Sequence, residues 1–143
     1  MRTAIAIALL IELLVTQPVI AETGNTAGGA GAFAYVTVAG APGDGDQALA
    51  AALSRALQAR GLKPSAFQAN VYEVQGTVRV APALKGKETV VIVWVVLGPD
   101  GNQLGVTRQT KDVRKGSLAK KWGKAADAAA AAAAEDIAKL IPR

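Results

Sequence analysis

Eight consecutive apolar residues, Val90–Leu97, read Val-Val-Ile-Val-Trp-Val-Val-Leu, with a turn signal at either end. A run of that length, mostly β-branched, predicts a strand that is apolar on both faces. One face belongs to the core of a small sheet. The other asks for a cover that no other segment of the chain obviously supplies.

The segments around this run alternate more cleanly. Val71–Val80 places Tyr72, Val74, Gly76, Val78 and Val80 on one side and Glu73, Gln75, Thr77 and Arg79 on the other, a strand with one buried face. Pro99-Asp100-Gly101-Asn102 is a hairpin signal, so Gln103–Lys111 is expected to return antiparallel as an edge strand, with Leu104 and Val106 inward and Thr107 and Gln109 outward. Upstream, Phe33–Val38 is a short aromatic and β-branched strand.

Two helices complete the pattern. Gln47–Arg60 carries Leu49, Ala52, Leu53, Ala56 and Leu57 on one stripe, with Asp46 placed to cap its start. Gly61 ends it and Pro64 prevents its resumption. The last helix is expected from Ser117 to Leu140, with seven consecutive alanines at 128–134 and a stripe of Trp122, Ala126, Ala129, Ala133, Ile137 and Leu140. Alanine favours the helix and lets it sit close on a sheet.

These elements predict an α+β two-layer sandwich: a four-stranded mixed sheet in the order β-α-β-β-β-α, with both helices on one face. A crossover through the first helix makes the first two strands parallel, and the remaining strands form a meander. The open face should show the polar side of Val71–Val80.

The start of the chain reads differently. Arg2 precedes an apolar run, Ala4–Val15, interrupted by Glu12, then Thr16-Gln17-Pro18 and Val19-Ile20-Ala21, the pattern of a secretory signal peptide with cleavage expected after Ala21. A periplasmic or secreted location follows, or a membrane anchor if the segment is retained. Residues 22–32 contain four glycines and no apolar period, and read as a flexible leader to a single α+β domain at 33–143.

Composition narrows the chemistry. The 143 residues suit one domain, and 51% hydrophobic content is enough for a core. There is no Cys and no His. That removes thiol nucleophiles, disulfides, the usual general base and nearly every transition-metal site, so no enzyme and no cofactor is expected. The net charge of +5 favours anionic partners in general.

Two stretches stand out as interaction candidates. On the apolar strand, either Val91, Val93 and Val95 or Val90, Ile92, Trp94 and Val96 form a ridge between polar neighbours, a surface suited to a partner protein or to self-association. Between Arg108 and Lys124 lie Arg108, Lys111, Arg114, Lys115, Lys120, Lys121 and Lys124 against one acid, Asp112. That segment could grip an anionic lipid or polysaccharide, with Trp122 as an apolar anchor, or simply be solvated. Nucleic acid is not expected, because exposed base-stacking aromatics are lacking.

Motif matches elsewhere are thin. Ser117-Leu118-Ala119-Lys120 fits Ser-x-x-Lys, the pattern of a small Ser/Lys hydrolase, but Ser-Asp-Asn and Lys-Thr-Gly are absent and Ser117 reads more simply as a helix cap. Gly40, Gly43 and Gly45 lie where phosphate loops lie, yet neither glycine signature is complete. Asp44-Gly45-Asp46 is too sparse for a calcium loop.

Taken together, Tyr72-Glu-Val-Gln-Gly-Thr-Val, Val91-Ile-Val-Trp-Val-Val with Asp100-Gly101 and Leu104-Gly105, and Gly116-Ser-Leu with Trp122-Gly123 resemble small Gram-negative envelope proteins, many of them lipoproteins. The topology is also similar to the amino-terminal domain of TolB and to periplasmic lipoprotein activators of peptidoglycan synthases. The resemblance implies a non-enzymatic binding or scaffolding role in the envelope and transfers no functional residue. The lipidation Cys of the lipoprotein pattern is missing here.

Overall fold

The computed structural model describes residues 32–142. The signal-peptide reading of 1–21 and nearly all of the leader lie outside them. Five strands and two helices follow in the order β1 (Phe33–Ala39), α1 (Gly45–Gln58), β2 (Lys63–Pro64), β3 (Tyr72–Pro82), β4 (Lys87–Leu97), β5 (Gln103–Arg114) and α2 (Lys124–Leu140). The strands make one mixed sheet in the order β2-β1-β3-β4-β5. β1 runs parallel to β3, while β3, β4 and β5 form an antiparallel meander. The apolar run thus sits inside the sheet, paired on both sides, where a β-branched strand loses no hydrogen-bonding edge to water.

The sheet has five strands rather than four because of β2. Lys63 donates its N–H to the Ala32 carbonyl at 2.8 Å and Ser65 to the Ala34 carbonyl at 3.0 Å. Pro64, which has no N–H, lies between the two donors, a placement open to proline only at an edge. Two residues without periodicity give no strand signal in the sequence.

Leucines at 49, 53 and 57 bury one stripe of α1 against the sheet. Its end is fixed by backbone chemistry: Gly61 takes φ +89° and donates to Gln58, while Leu62 reaches back to the Leu57 carbonyl at 3.1 Å. That is the left-handed stop expected of a glycine. Asp46 accepts the Ala41 N–H at 2.8 Å instead of capping the helix itself.

The second helix begins at Lys124, seven residues later than the composition suggests. Residues 117–121 form a turn, a bend and irregular chain, and Ser117 caps no helix. The cause is Trp122: its backbone N–H donates to Asp44 Oδ1 at 2.9 Å and its indole N–H to the Pro42 carbonyl at 2.9 Å. Pinned to the loop before α1, the chain turns at Gly123, φ +47°, before it can wind. Thereafter Ala126, Ala130, Ala133, Ala134, Ile137 and Ala138 are buried, and the small side chains let α2 pack beside α1. Ala129 and Leu140 are half-buried.

Both helices cover the face formed by Tyr72, Val74 and Val78 of β3 and Val90, Ile92, Trp94 and Val96 of β4. The polar side of β3 is open, as its alternation predicts. On β5 the alternation is right but its sense is reversed. Val106 pairs with Val95 on the open face and is 50% exposed, whereas Gln109 pairs with Ile92 beneath α2. Leu104 lies at an irregularity between Val96 and Leu97 and is also exposed.

Candidate functional site

On the open side of β4, Val91, Val93 and Val95 form the apolar ridge, each half-buried. No helix or loop lies over it among the described elements. The register supplies its flanks row by row: Arg79–Val91–Thr110, Thr77–Val93–Arg108 and Gln75–Val95–Val106 across β3, β4 and β5. Two arginines therefore stand diagonally across Val91 and Val93. Thr77, Arg79, Ala81, Thr89, Val91, Val93 and Arg108 line a shallow depression there. Neither arginine is in an ion pair among the described residues, where the pairs are Arg55–Asp127 and Lys139–Glu135. Cations without an acid beside aliphatic surface are a feature of surfaces that receive something anionic or amphipathic.

Trp94 is not part of that surface. It has 0% exposure, points to the helices, and donates its indole N–H to Gln109 Oε1 at 3.0 Å. Gln109 in turn donates to the Ala129 carbonyl at 3.0 Å, so one amide ties β4, β5 and α2 together. A tryptophan inside a one-sided layer must satisfy its donor, and the polar residue of an apparently outward alternation does so.

Trp122 is buried as well, with its donors spent on the Pro42–Asp44 loop, and cannot act as an exposed anchor. The seven cations between 108 and 124 are all exposed but are not gathered on one face. Arg108 joins the open ridge, and Lys111 pairs with Val90 on the helix side. Arg114 and Lys115 lie at the end of β5, where Lys115 donates to the Gly86 carbonyl at 2.9 Å. Lys120 and Lys121 sit in the turn that meets Asp44.

Between α2 and the β4–β5 pair is a cavity of about 250 Å³, bounded by Val90, Ile92, Val113, Leu118 and Trp122. It exists because Ala125, Ala128, Ala129 and Ala132 are too short to reach the strands. Ser117 and Lys120 are both exposed, and no hydrogen bond joins them among the described residues. No cluster of metal-binding side chains occurs among the described residues.

An aromatic group at the other edge of the open face has no counterpart in the sequence reading. Tyr35 and Phe67 meet edge to face with ring centroids 5.7 Å apart, and the Lys63 ammonium lies 5.5 Å from the centre of Phe33. Phe67 remains 71% exposed. Its traces in the sequence are Phe33 and Tyr35, two residues apart on one strand face, and an isolated Phe in the loop between Pro64 and Asn70.

The fold defines a small two-layer α+β module with one sheet face that no described helix covers. No family model and no curated protein matches the chain. Among solved structures, it is similar to a PelC dodecamer from Paraburkholderia phytofirmans, with 18% identity, 80% of this chain and 88% of that one covered, and a TM-score of 0.51. An uncharacterized protein aligns with 13% identity over 80% and 94% of the two chains at a TM-score of 0.52. A minor lipoprotein from Acinetobacter baumannii aligns at 11% identity over 78% and 97%, with a TM-score of 0.45, too loose a likeness to carry argument. At these identities the shared property is the fold.

Proposed function

We propose that this chain is a non-enzymatic component of the cell envelope that binds a protein partner, or further copies of itself, through the open face of its sheet. The observation that carries this reading is the Val91–Val93–Val95 ridge, which no described helix covers, between Arg79 and Arg108, neither of them ion-paired among the described residues. Strand propensity favours valine at these positions in a monomer too, but three in a row also offer aliphatic surface whose burial against a partner is favourable at about 25 cal/mol per Å². The envelope placement is supported by the signal-peptide pattern of residues 1–21. Self-association gains support from the PelC structure of similar fold, which is a dodecamer.

The test is Val93→Lys in the full chain, with folding checked by circular dichroism. Sedimentation velocity and capture from envelope extract are compared with wild type. Loss of assembly or of a captured protein is the expected result. Retention of both by the folded variant would sink the reading.

A further inference from the structure

The β3–β4 turn projects an exposed leucine among lysines. Leu84 is 85% exposed, the most exposed large apolar side chain described. It is held out by a stiff turn: Lys85 and Gly86 both take positive φ, +58° and +67°, and Ala83 donates to the Lys87 carbonyl at 2.9 Å. The end of β5 is tied to this tip, since Lys87 pairs with Arg114 and Lys115 donates to Gly86. Four cations, Lys85, Lys87, Arg114 and Lys115, therefore lie in or beside this turn, and none is in an ion pair among the described residues. Two acids stand nearby: Glu88 accepts the Gly116 N–H at 3.3 Å, and Asp112, paired with Thr89, accepts its hydroxyl at 2.6 Å.

We infer that this tip is a docking point for an anionic bilayer. The leucine enters the region between headgroups and acyl chains while the cations stay at headgroup level. Charge complementarity selects the lipid: each Lys or Arg near an anionic surface adds attraction that a neutral surface does not give. No helix of the described residues is long and apolar enough to cross a membrane, and the tip needs none, because it rests on the surface. This inference is separate from the open-face reading, since Leu84 and its lysines lie beyond the Val91–Val95 rows.

The experiment uses the full chain with vesicles of phosphatidylcholine alone or with 30% phosphatidylglycerol. The Leu84→Trp variant supplies a local probe at the tip. Its emission is expected to shift to the blue with the anionic vesicles and not with the neutral ones. The double variant Lys85→Glu/Lys115→Glu, and separately 0.5 M salt, should each lower binding to anionic vesicles at least tenfold. Leu84→Ser should lower it severalfold, while Leu104→Ser, another exposed leucine remote from the tip, should leave it unchanged. Because residues 4–15 are themselves apolar but for Glu12, the result is read from the differences between variants and from the probe. An unshifted Leu84→Trp emission, equal response to neutral vesicles, or no loss in the Lys85→Glu/Lys115→Glu variant overturns the inference. Binding that Leu84→Ser leaves intact and a soluble anionic polysaccharide competes away overturns it in favour of a polymer site.

Discussion

Gly76 stands directly opposite Trp94 in the β3–β4 ladder, and the indole occupies the space a side chain at 76 would need: an added Cβ would lie 2.5 Å from Trp94 Cζ3. Trp94 is fully buried and cannot swing away. Gly76→Ala should therefore destabilise by about 1–3 kcal/mol, typical of overpacking. Gly105 offers the control. An added Cβ there would meet the Leu140 side chain at 2.6 Å, but Leu140 is half-buried and can change rotamer. Gly105→Ala should cost less than Gly76→Ala, and urea unfolding of the two variants checks the order.

The Trp94–Gln109–Ala129 chain of hydrogen bonds makes a second prediction. Gln109→Met keeps the volume of the side chain but leaves the indole N–H without its acceptor, while the Ala129 carbonyl, inside α2, loses a second donor and keeps its helical one. Leaving one buried donor unsatisfied costs about 1–3 kcal/mol. Because the amide joins both sheet and helix, the loss should appear in the same cooperative transition seen by tryptophan fluorescence and by circular dichroism. A variant as stable as wild type would show that the bonds contribute nothing net.

The strands were readable in the sequence wherever the side chains alternate. Tyr72, Val74, Gly76 and Val78 share the buried face that their spacing assigns, and Val90–Leu97 is the interior strand its uniform apolarity demands. Pattern failed where a single tertiary contact decides. Nothing local says that Gln109 turns inward, because its reason is an indole on the neighbouring strand. Nothing local says that residues 117–121 are not helical, because their reason is Asp44, distant in sequence. The candidate surface was half legible: two alternative faces of the apolar strand were visible, and the helices decided between them.

In the β4–β5 turn, Asp100 accepts both the backbone N–H of Asn102 at 3.0 Å and its side-chain amide at 2.7 Å. These bonds hold the carboxyl below its ordinary value of 3.8, the backbone bond foremost. A folded-state pKa that is depressed gives stability that is present above the unfolded pKa and is lost as pH falls through the lower folded one. As pH falls through that lowered value, below 3.8, protonation of Asp100 should thus loosen this turn in the folded state. An NMR titration of the Asp100 carboxyl should show a midpoint under 3.8, and Asp100→Ala should remove the pH dependence of the Asn102 amide shift.

Asp44 fastens the segment before α2 to the loop before α1. Its carboxylate takes the Trp122 N–H at 2.9 Å while its own N–H donates to the Lys120 carbonyl at 2.8 Å. Asp44→Ala removes the first bond and keeps the second. A hydrogen bond to a charged acceptor contributes about 1.5–3 kcal/mol. The strands do not depend on it, so the effect should be local opening of residues 117–123 rather than loss of the core. Amide exchange at Trp122 is expected to accelerate by about tenfold or more, the factor that 1.4 kcal/mol corresponds to, with β4 amides unchanged. If the β4 amides accelerate equally, the loop and the sheet open as one unit, and the tie at Asp44 is global in its effect.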